Sequence, residues 1–487
     1  MAHELLRYPR LQNKARQCLF ARPAEQCIAA GCIPCSTDFK TSKAILLADN
    51  NQPVTLFWFR RDLRLTDNHG LHEALCGETP VLPLFIYDRN ILNALQDKKD
   101  RRVAFIHQAL SQINAVLKTL GASLLIIHDA PLAAFEKICK EFNVVKVITN
   151  SDYEPYAKDR DGRTESFLQS KRIPFTGFKD QVIFEKSDVM KQDGTPYTVY
   201  PPYAKMWLRQ YAAQQLVTYK SEDLLHNMMK HTSFQFPSLA DIGFEVVDMQ
   251  AFNTLIDEDI IRNYHDTRNL PAVVGTSHVS VHLRFGTLSV RQVVSLAARL
   301  NEKWLNELIW REFFMMILFH FPRVTEGAYK PKFDHIQWRN NEAEFAAWCR
   351  GETGYPIVDA GMRQLNETGW MHNRVRLITS SFLVKHLLID WKWGDAYFAD
   401  KLLDYDLSSN NGNWQWVTGS GSEAAPYFRI FNPFEQTKKF DPDFVYVKKW
   451  VKEYRSGYLP MIVEHEFARK RALEVFKQSL AAVGAGM

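Results

Sequence analysis

The residues best suited to chemistry crowd into Asp404–Pro433, DYDLSSNNGNWQWVTGSGSEAAPYFRIFNP. Two carboxylates (Asp404, Asp406), two adjacent amides (Asn410, Asn411) and two indoles one residue apart (Trp414, Trp416) fall within thirteen residues. Such a stretch does not read as an ordinary amphipathic helix. Its amides and carboxylates need partners, and its indoles need flat surfaces to pack on. A planar, hydrogen-bonding cofactor supplies both. The alternative is a turn-rich loop whose Asn and Asp satisfy their own backbone while the tryptophans fill core.

Other constellations point the same way. In WLNELIWREFF, Glu307, Trp310, Arg311 and Phe314 stand at i, i+3, i+4 and i+7, on one helix face. Either Glu307 and Arg311 pair structurally, or the face lines a polar-aromatic cavity; the cavity is expected, because a core stripe rarely carries two charges. In TGWMHNRVRLITSSFLVKHLLIDW, Asn373, Arg376 and Leu377 share a face, and Arg374 and Arg376 suit phosphates at a pocket rim or a solvated surface. Thr276, Ser277 and Ser280 in GTSHVSVHLRFGTLS can cap a helix start or present its free N–H groups to a phosphate. YPIVDAGMRQL reads as a structural helix whose Arg363 pairs with a carboxylate such as Asp404. No HExxH, GxSxG, Walker A or complete zinc set occurs, so difficult chemistry here needs a cofactor.

The elements that must position these residues fall into two kinds. From Val54, continuous apolar runs (VTLFWF, Val81–Tyr87, Ser123–His128, Val145–Thr149 and a short Thr176–Phe178) alternate with helical segments at Val103–Leu120 and Leu132–Glu141. That alternation predicts a doubly wound parallel sheet over 51–178. Residues 179–250 are proline-punctuated and read as a long surface connection. From 251 to 487 helical spacing dominates (Ser289–Leu300, Glu302–Phe319, Glu342–Gly351, Ile357–Glu367, Asn373–Leu388), and nine of the twelve tryptophans lie between Trp304 and Trp416.

At 487 residues, 46% hydrophobic and 24% charged, the composition is that of a multi-domain globular chain. The net charge of +5 is too mild to establish a nucleic-acid partner on its own. No apolar run approaches a membrane span, and no signal peptide is evident. Residues 1–50 are basic, without clear period, and read as a disordered tail; Arg7, Arg10, Arg16 and Arg22 leave organelle targeting open, against Glu4 and Glu25. Seven cysteines suggest a reducing compartment, and Cys27, Cys32 and Cys35 lack the further ligands of a metal site.

FWFRRDLRLTDN (Phe57–Asn68), GTSHVSVHLRFGTLS, WLNELIWREFF, TGYPIVDAGMRQL, GWMHNR, NNGNWQW and AAPYFRIFNP, in this order, resemble the DNA photolyase/cryptochrome family over about residues 53–480, most closely the class I cyclobutane pyrimidine dimer photolyases. The resemblance implies an α/β domain, a linker and a helical FAD-binding domain. It further implies light-dependent repair, by electron transfer from excited reduced FAD to a flipped-out dimer, with a blue-light photoreceptor signalling through a partner as the alternative. By the resemblance, Tyr264, Thr276, Ser277, Ser280, Arg311, Arg376, Asp404, Asp406 and Asn410 hold the flavin. Glu307, Trp310, Asn373 and Trp416 line the dimer cavity, and with Arg268, Arg374 and Lys439 they contact DNA. Trp414, Trp391 and Trp338 pass electrons to the flavin. It departs from the family at Leu377, where a Met is common, at His278, where an Arg is frequent, and at Tyr156–Ala157, where folate-binding members carry an Asn-Glu pair. A second antenna chromophore is therefore expected to be something other than a folate, if one is bound. The resemblance implies a monomeric, cytoplasmic enzyme of damaged DNA, nucleoid-associated if bacterial, with no metal, no membrane and no obligate protein partner.

Overall fold

The computed structural model describes residues 52–249, 254–455 and 457–484. The tail of residues 1–50, with Cys27, Cys32 and Cys35, lies outside the described residues.

The parallel sheet forms as expected. Its strands are β1 (Pro53–Phe59), β2 (Val81–Asp88), β3 (Leu125–Asp129), β4 (Asn143–Asn150) and β5 (Phe175–Phe178), in the order β3-β2-β1-β4-β5. Alternate residues of β1 serve two cores. Phe57 and Phe59 meet α1 (His69–Leu75) and α2 (Arg101–Thr119) on one face; Val54, Leu56 and Trp58 meet α3 (Pro131–Glu141) and α4 (Pro155–Ser170) on the other. Burial on both faces is why the central strands are continuously apolar.

Residues 179–250 are more than a surface connection. They hold a helix, α5 (Tyr200–Ala213), whose Tyr200, Tyr203, Ala204 and Trp207 are buried. The prolines that suggested irregular chain occupy its first turn, where a missing N–H costs nothing. The buried Trp207 indole donates to Glu312 Oε2 at 2.7 Å, on helix α8 described below. Leu225, Met228 and Phe244 from the rest of this segment join the core beneath α1 and α2.

The remainder is helical: α6 (Val279–Phe285), α7 (Val290–Leu300), α8 (Glu302–His320), α9 (Glu342–Arg350), α10 (Pro356–Thr368), α11 (Asn373–Ser381), α12 (Trp391–Lys401), α13 (Leu407–Thr418), α14 (Pro433–Phe440), α15 (Val445–Trp450) and α16 (His465–Gly484). The helix expected to run to Leu388 ends at Ser381. It passes into a π turn, Phe382–His386, followed by Leu388 at φ 50°. Within that turn the buried Lys385 ammonium donates to Thr418 O at 2.9 Å, satisfying a carbonyl at the end of α13.

Candidate active site

The polar stretch that reads as a loop short of partners is largely helix α13. Asp406 is its N-cap, accepting from Ser409 N at 3.1 Å and Ser408 Oγ at 2.5 Å, and Gly419 closes it at φ 96°. Its polar residues divide between two sides. Asn411 and Gln415 turn away from the cavity, both donating to Val324 O (3.0 and 2.9 Å). Asn410 instead faces a cavity of about 90 Å³ and donates to Asp395 Oδ1 at 2.6 Å. Asn373, Arg376, Asp404, Asp406 and Trp414 line the same cavity, whereas Tyr264, Thr276, Ser277, Ser280, Glu307, Trp310, Arg311 and Trp416 are not among its lining residues. Leu377 lines it too. Ser380, Ser409 and Asn413 also line it and carried no signal beyond their polarity.

Arg376 binds Asp404 through both carboxylate oxygens (3.1 and 2.9 Å) while its Nε donates to Met371 O at 2.7 Å. The expected Arg363–Asp404 pair does not form; Arg363 reaches Glu453 at 2.5 Å instead. His372 caps α11, its Nδ1 accepting from Arg374 N at 3.1 Å. That leaves the ring neutral, and burial, with Arg376 and Arg374 nearby, pushes its pKa down to about 4.

Glu307 and Arg311 do not pair. Glu307 binds Arg268 at 2.8 Å; burial pushes its carboxyl up, against the pull of Arg268 and Arg374. Arg268 lies 5.3 Å over the Tyr264 ring. Arg374 donates to Asn269 Oδ1 at 2.5 Å and stacks 4.5 Å over Phe440. Arg311 donates to Gln181 O (2.7 Å) and Leu283 O (3.5 Å). Trp310 has one face covered by Tyr200, ring centroids 3.6 Å apart and 6° from parallel. Tyr200 comes from α5, and no sequence pattern links it to Trp310. Trp416 is half-buried on α13.

Thr276 and Ser277 are half-buried, and Ser280 is exposed. None of them caps α6: His278, at φ 54°, is the N-cap and makes no side-chain cap bond. Its ring packs on Trp370 at 4.2 Å.

The tryptophans grade outward. Trp414 and Trp391 are buried, and Trp338 is half-buried. Trp414 packs on Phe398 at 5.1 Å and so close to α12 that a Cβ on Gly394 would meet its Cη2 at 2.1 Å. Trp391 opens α12. The strand of chain bearing Trp338 is tied to it, Asp390 N donating to Asn340 Oδ1 and Arg339 N to Leu388 O, each at 2.8 Å.

FRRDLR (Phe59–Arg64), which carried no assigned chemistry, docks on the carboxyl end of α6. Arg61 Nε, Leu63 N and Arg64 Nη1 donate to the carbonyls of Arg284, Phe285 and Gly286 at 3.3, 3.0 and 3.0 Å. Gly286 permits this approach: at φ 68°, a Cβ there would lie 2.1 Å from Arg61 O. Arg64 and Arg291 both bind Asp180 (2.6 and 2.8 Å), and Arg291 also binds Asp67 at 2.9 Å.

A parallel-sheet domain clamped to a helical domain, with a polar-aromatic cavity in the latter, defines a two-domain cofactor-binding protein. The chain belongs to the DNA photolyase family. Residues 55–221 match the DNA photolyase model and residues 304–457 the FAD binding domain of DNA photolyase. The chain is 35% identical to the deoxyribodipyrimidine photo-lyase of Synechococcus, over 88% of this chain and 97% of that protein. It is 36% identical to the Escherichia coli protein of the same name, over 84% and 91%. Among solved structures, a class III photolyase from Agrobacterium tumefaciens superposes with a TM-score of 0.76 at 31% identity, covering 89% of this chain and 99% of that one. An archaeal photolyase from Sulfolobus tokodaii, with two FAD molecules, gives 0.74 at 30%, over 87% and 100%.

Proposed function

We propose that this chain is a deoxyribodipyrimidine photo-lyase, repairing cyclobutane pyrimidine dimers in DNA under light. The observation that carries this reading is that Asn373, Arg376, Asp404, Asp406, Asn410 and Trp414 share one cavity, while Glu307 and Trp310 stand on α8 with Arg268 and Arg374 in their electrostatic neighbourhood.

The cavity suits a flavin by its convergent polar groups. Arg376, Asp404, Asp406 and Asn410 hold the ring end, with Arg311 behind Asp406; Tyr264, Thr276, Ser277 and Ser280 hold the phosphate side. Bound reduced FAD supplies the light-driven electron, which no side chain here can do. The protein's own tasks are to bind, orient and exclude water. Trp310 and Trp416 offer ring faces that replace the stacking lost by a flipped-out dimer, while Glu307 and Asn373 read its polar edges. Burial raises the Glu307 carboxyl, and in its protonated form it can donate a hydrogen bond to a dimer carbonyl. Arg268, Arg374 and Lys439 meet phosphates, which position the DNA without specifying it. Trp338, Trp391 and Trp414 relay electrons inward to oxidised flavin.

Tyr156, where a folate-binding member is expected to differ, already donates to Asp88 Oδ2 at 2.5 Å, and Ala157 is a buried methyl. This supports a second chromophore other than a folate. The enzyme acts as a cytoplasmic monomer; among the described residues no helix is long and apolar enough to cross a membrane.

Dark binding separates repair from signalling. The flavin-loaded protein is expected to bind a dimer-containing oligonucleotide at least about 100-fold tighter than the undamaged one, a gap of about 2.7 kcal/mol. Equal affinity for the two favours the photoreceptor alternative.

A further inference from the structure

We infer that Arg61, on the loop that leaves β1, is a positioning residue through which the α/β domain holds Asp406, and with it the first turn of α13, against the flavin. The inference rests on the reading of Asp406 as a flavin contact.

Four observations carry it. First, Asp406 divides its carboxylate: Oδ1 caps α13, accepting from Ser408 Oγ and Ser409 N, while Oδ2 accepts from Arg61 Nη2 at 2.8 Å. The atom that leaves the helix is thus gripped from the other domain. Second, Arg61 is held on every side. Its Nη1 donates to Glu154 Oε1 at 2.8 Å and Asp152 Oδ1 at 3.2 Å, and its Nε to Arg284 O at 3.3 Å. A guanidinium so forked has one orientation, which a lysine cannot reproduce. Third, the cluster is buried. Arg61, Arg284 and Arg311 face Asp152, Glu154 and Asp406; Arg284 lies 2.6 Å from Glu154 and 3.6 Å from Asp406. Fourth, the loop cannot drift, because Gly286 seats it on the carbonyls that end α6.

Removing Arg61 takes away the one guanidinium that Asp152, Glu154 and Asp406 share. Burial pushes the Asp406 carboxyl up; Arg61 first, then Arg284, outweigh it and hold it at about 2, with Glu154 opposing and Arg311 assisting. A carboxyl held below its free value contributes above that free value and is lost as pH falls through the held value. Without Arg61 the held value rises, because burial then meets less opposition. Loss of Asp406, and of the flavin it contacts, then moves into mildly acidic solution.

The test is FAD retention after gel filtration of the flavin-loaded full chain, between about pH 8 and pH 4.5. Wild type is expected to give a flat profile. Arg61→Met should retain less FAD than wild type at the alkaline end and lose at least half of that remainder at the acidic end, and Arg61→Lys should fall between. Adding Glu154→Gln to Arg61→Met removes a buried carboxylate left without Arg61, and the acid loss should reverse; a melting temperature measured alongside separates damage to the fold from loss of the flavin contact. Should Arg61→Met fold poorly, Arg61→Lys alone must still show a steeper acid limb than wild type. Asp406→Asn separates the two layers of the inference. If it impairs retention while the Arg61 variants follow wild type, the role of Arg61 is overturned. If it retains FAD like wild type, the placing of Asp406 at the flavin fails.

Discussion

At the scale of single residues, the wall proposed to face the DNA depends on a contact between distant parts of the chain. Trp310 is stacked on Tyr200, whose hydroxyl is anchored on Asn306 and whose N–H donates to Glu423 Oε2 at 2.9 Å. One face of the indole is therefore spent on the protein, and its tilt is set by the linker helix. Trp310→Ala should weaken binding of dimer-containing DNA by roughly 1–3 kcal/mol, the worth of a base–aromatic stack. Tyr200→Leu should cost less, about 0.5–1.5 kcal/mol, the worth of an aromatic pair beyond its buried area. Fluorescence anisotropy on matched damaged and undamaged oligonucleotides checks both. Unaltered affinity in Trp310→Ala removes that residue from the cavity; equal losses on both DNAs assign Tyr200 to general folding. Glu307, Trp310 and Arg311 were legible as one helix face. Their partners were not, because Arg268 and Tyr200 lie far off in the chain and no period connects them. The charged pair that stood as the alternative within the stripe became two separate contacts for that reason.

At the scale of elements, α13 departs furthest from its appearance in sequence. Its polar residues hid the helical period, since Asn411 and Gln415 are buried on carbonyls of another segment rather than exposed. Only its Asp cap and closing glycine were local signals. The strands were legible because two-sided burial leaves continuous apolar runs, whereas α5 was masked by prolines that are harmless in a first turn. Helix α12 packs against α13 with Gly394 pressed on Trp414, so Trp391 and Trp414 ride on one rigid pair of helices, with Trp338 tied to the entry of α12. Trp338→Phe should slow photoreduction of oxidised flavin at least about tenfold, a barrier rise of about 1.4 kcal/mol, by removing the exposed end of the relay. Flash absorption spectroscopy reads this directly. Repair by enzyme reduced beforehand should be untouched, and loss of both activities would contradict the relay.

At the scale of the whole molecule, the two domains share buried charge rather than a simple apolar seam. Arg61 meets Asp406 across 345 residues of sequence, and Arg64, Asp67, Asp180 and Arg291 form a second buried set. Breaking such a set by removing one partner is far more costly than never having built it. The signature FRRDLRLTDN was legible as a motif but not as a clamp, because each of its charges finds its partner only in the folded chain. The α/β domain therefore acts as a scaffold that fixes one carboxylate of the flavin cavity, whether or not it carries a second chromophore. The most direct measurement is the dimer content of a defined oligonucleotide before and after blue or near-UV illumination with the flavin-reduced protein. Light-driven repair requires complete loss of the dimer under turnover conditions in the light and none in the dark. Unchanged dimer content with reduced flavin demonstrably bound would contradict it.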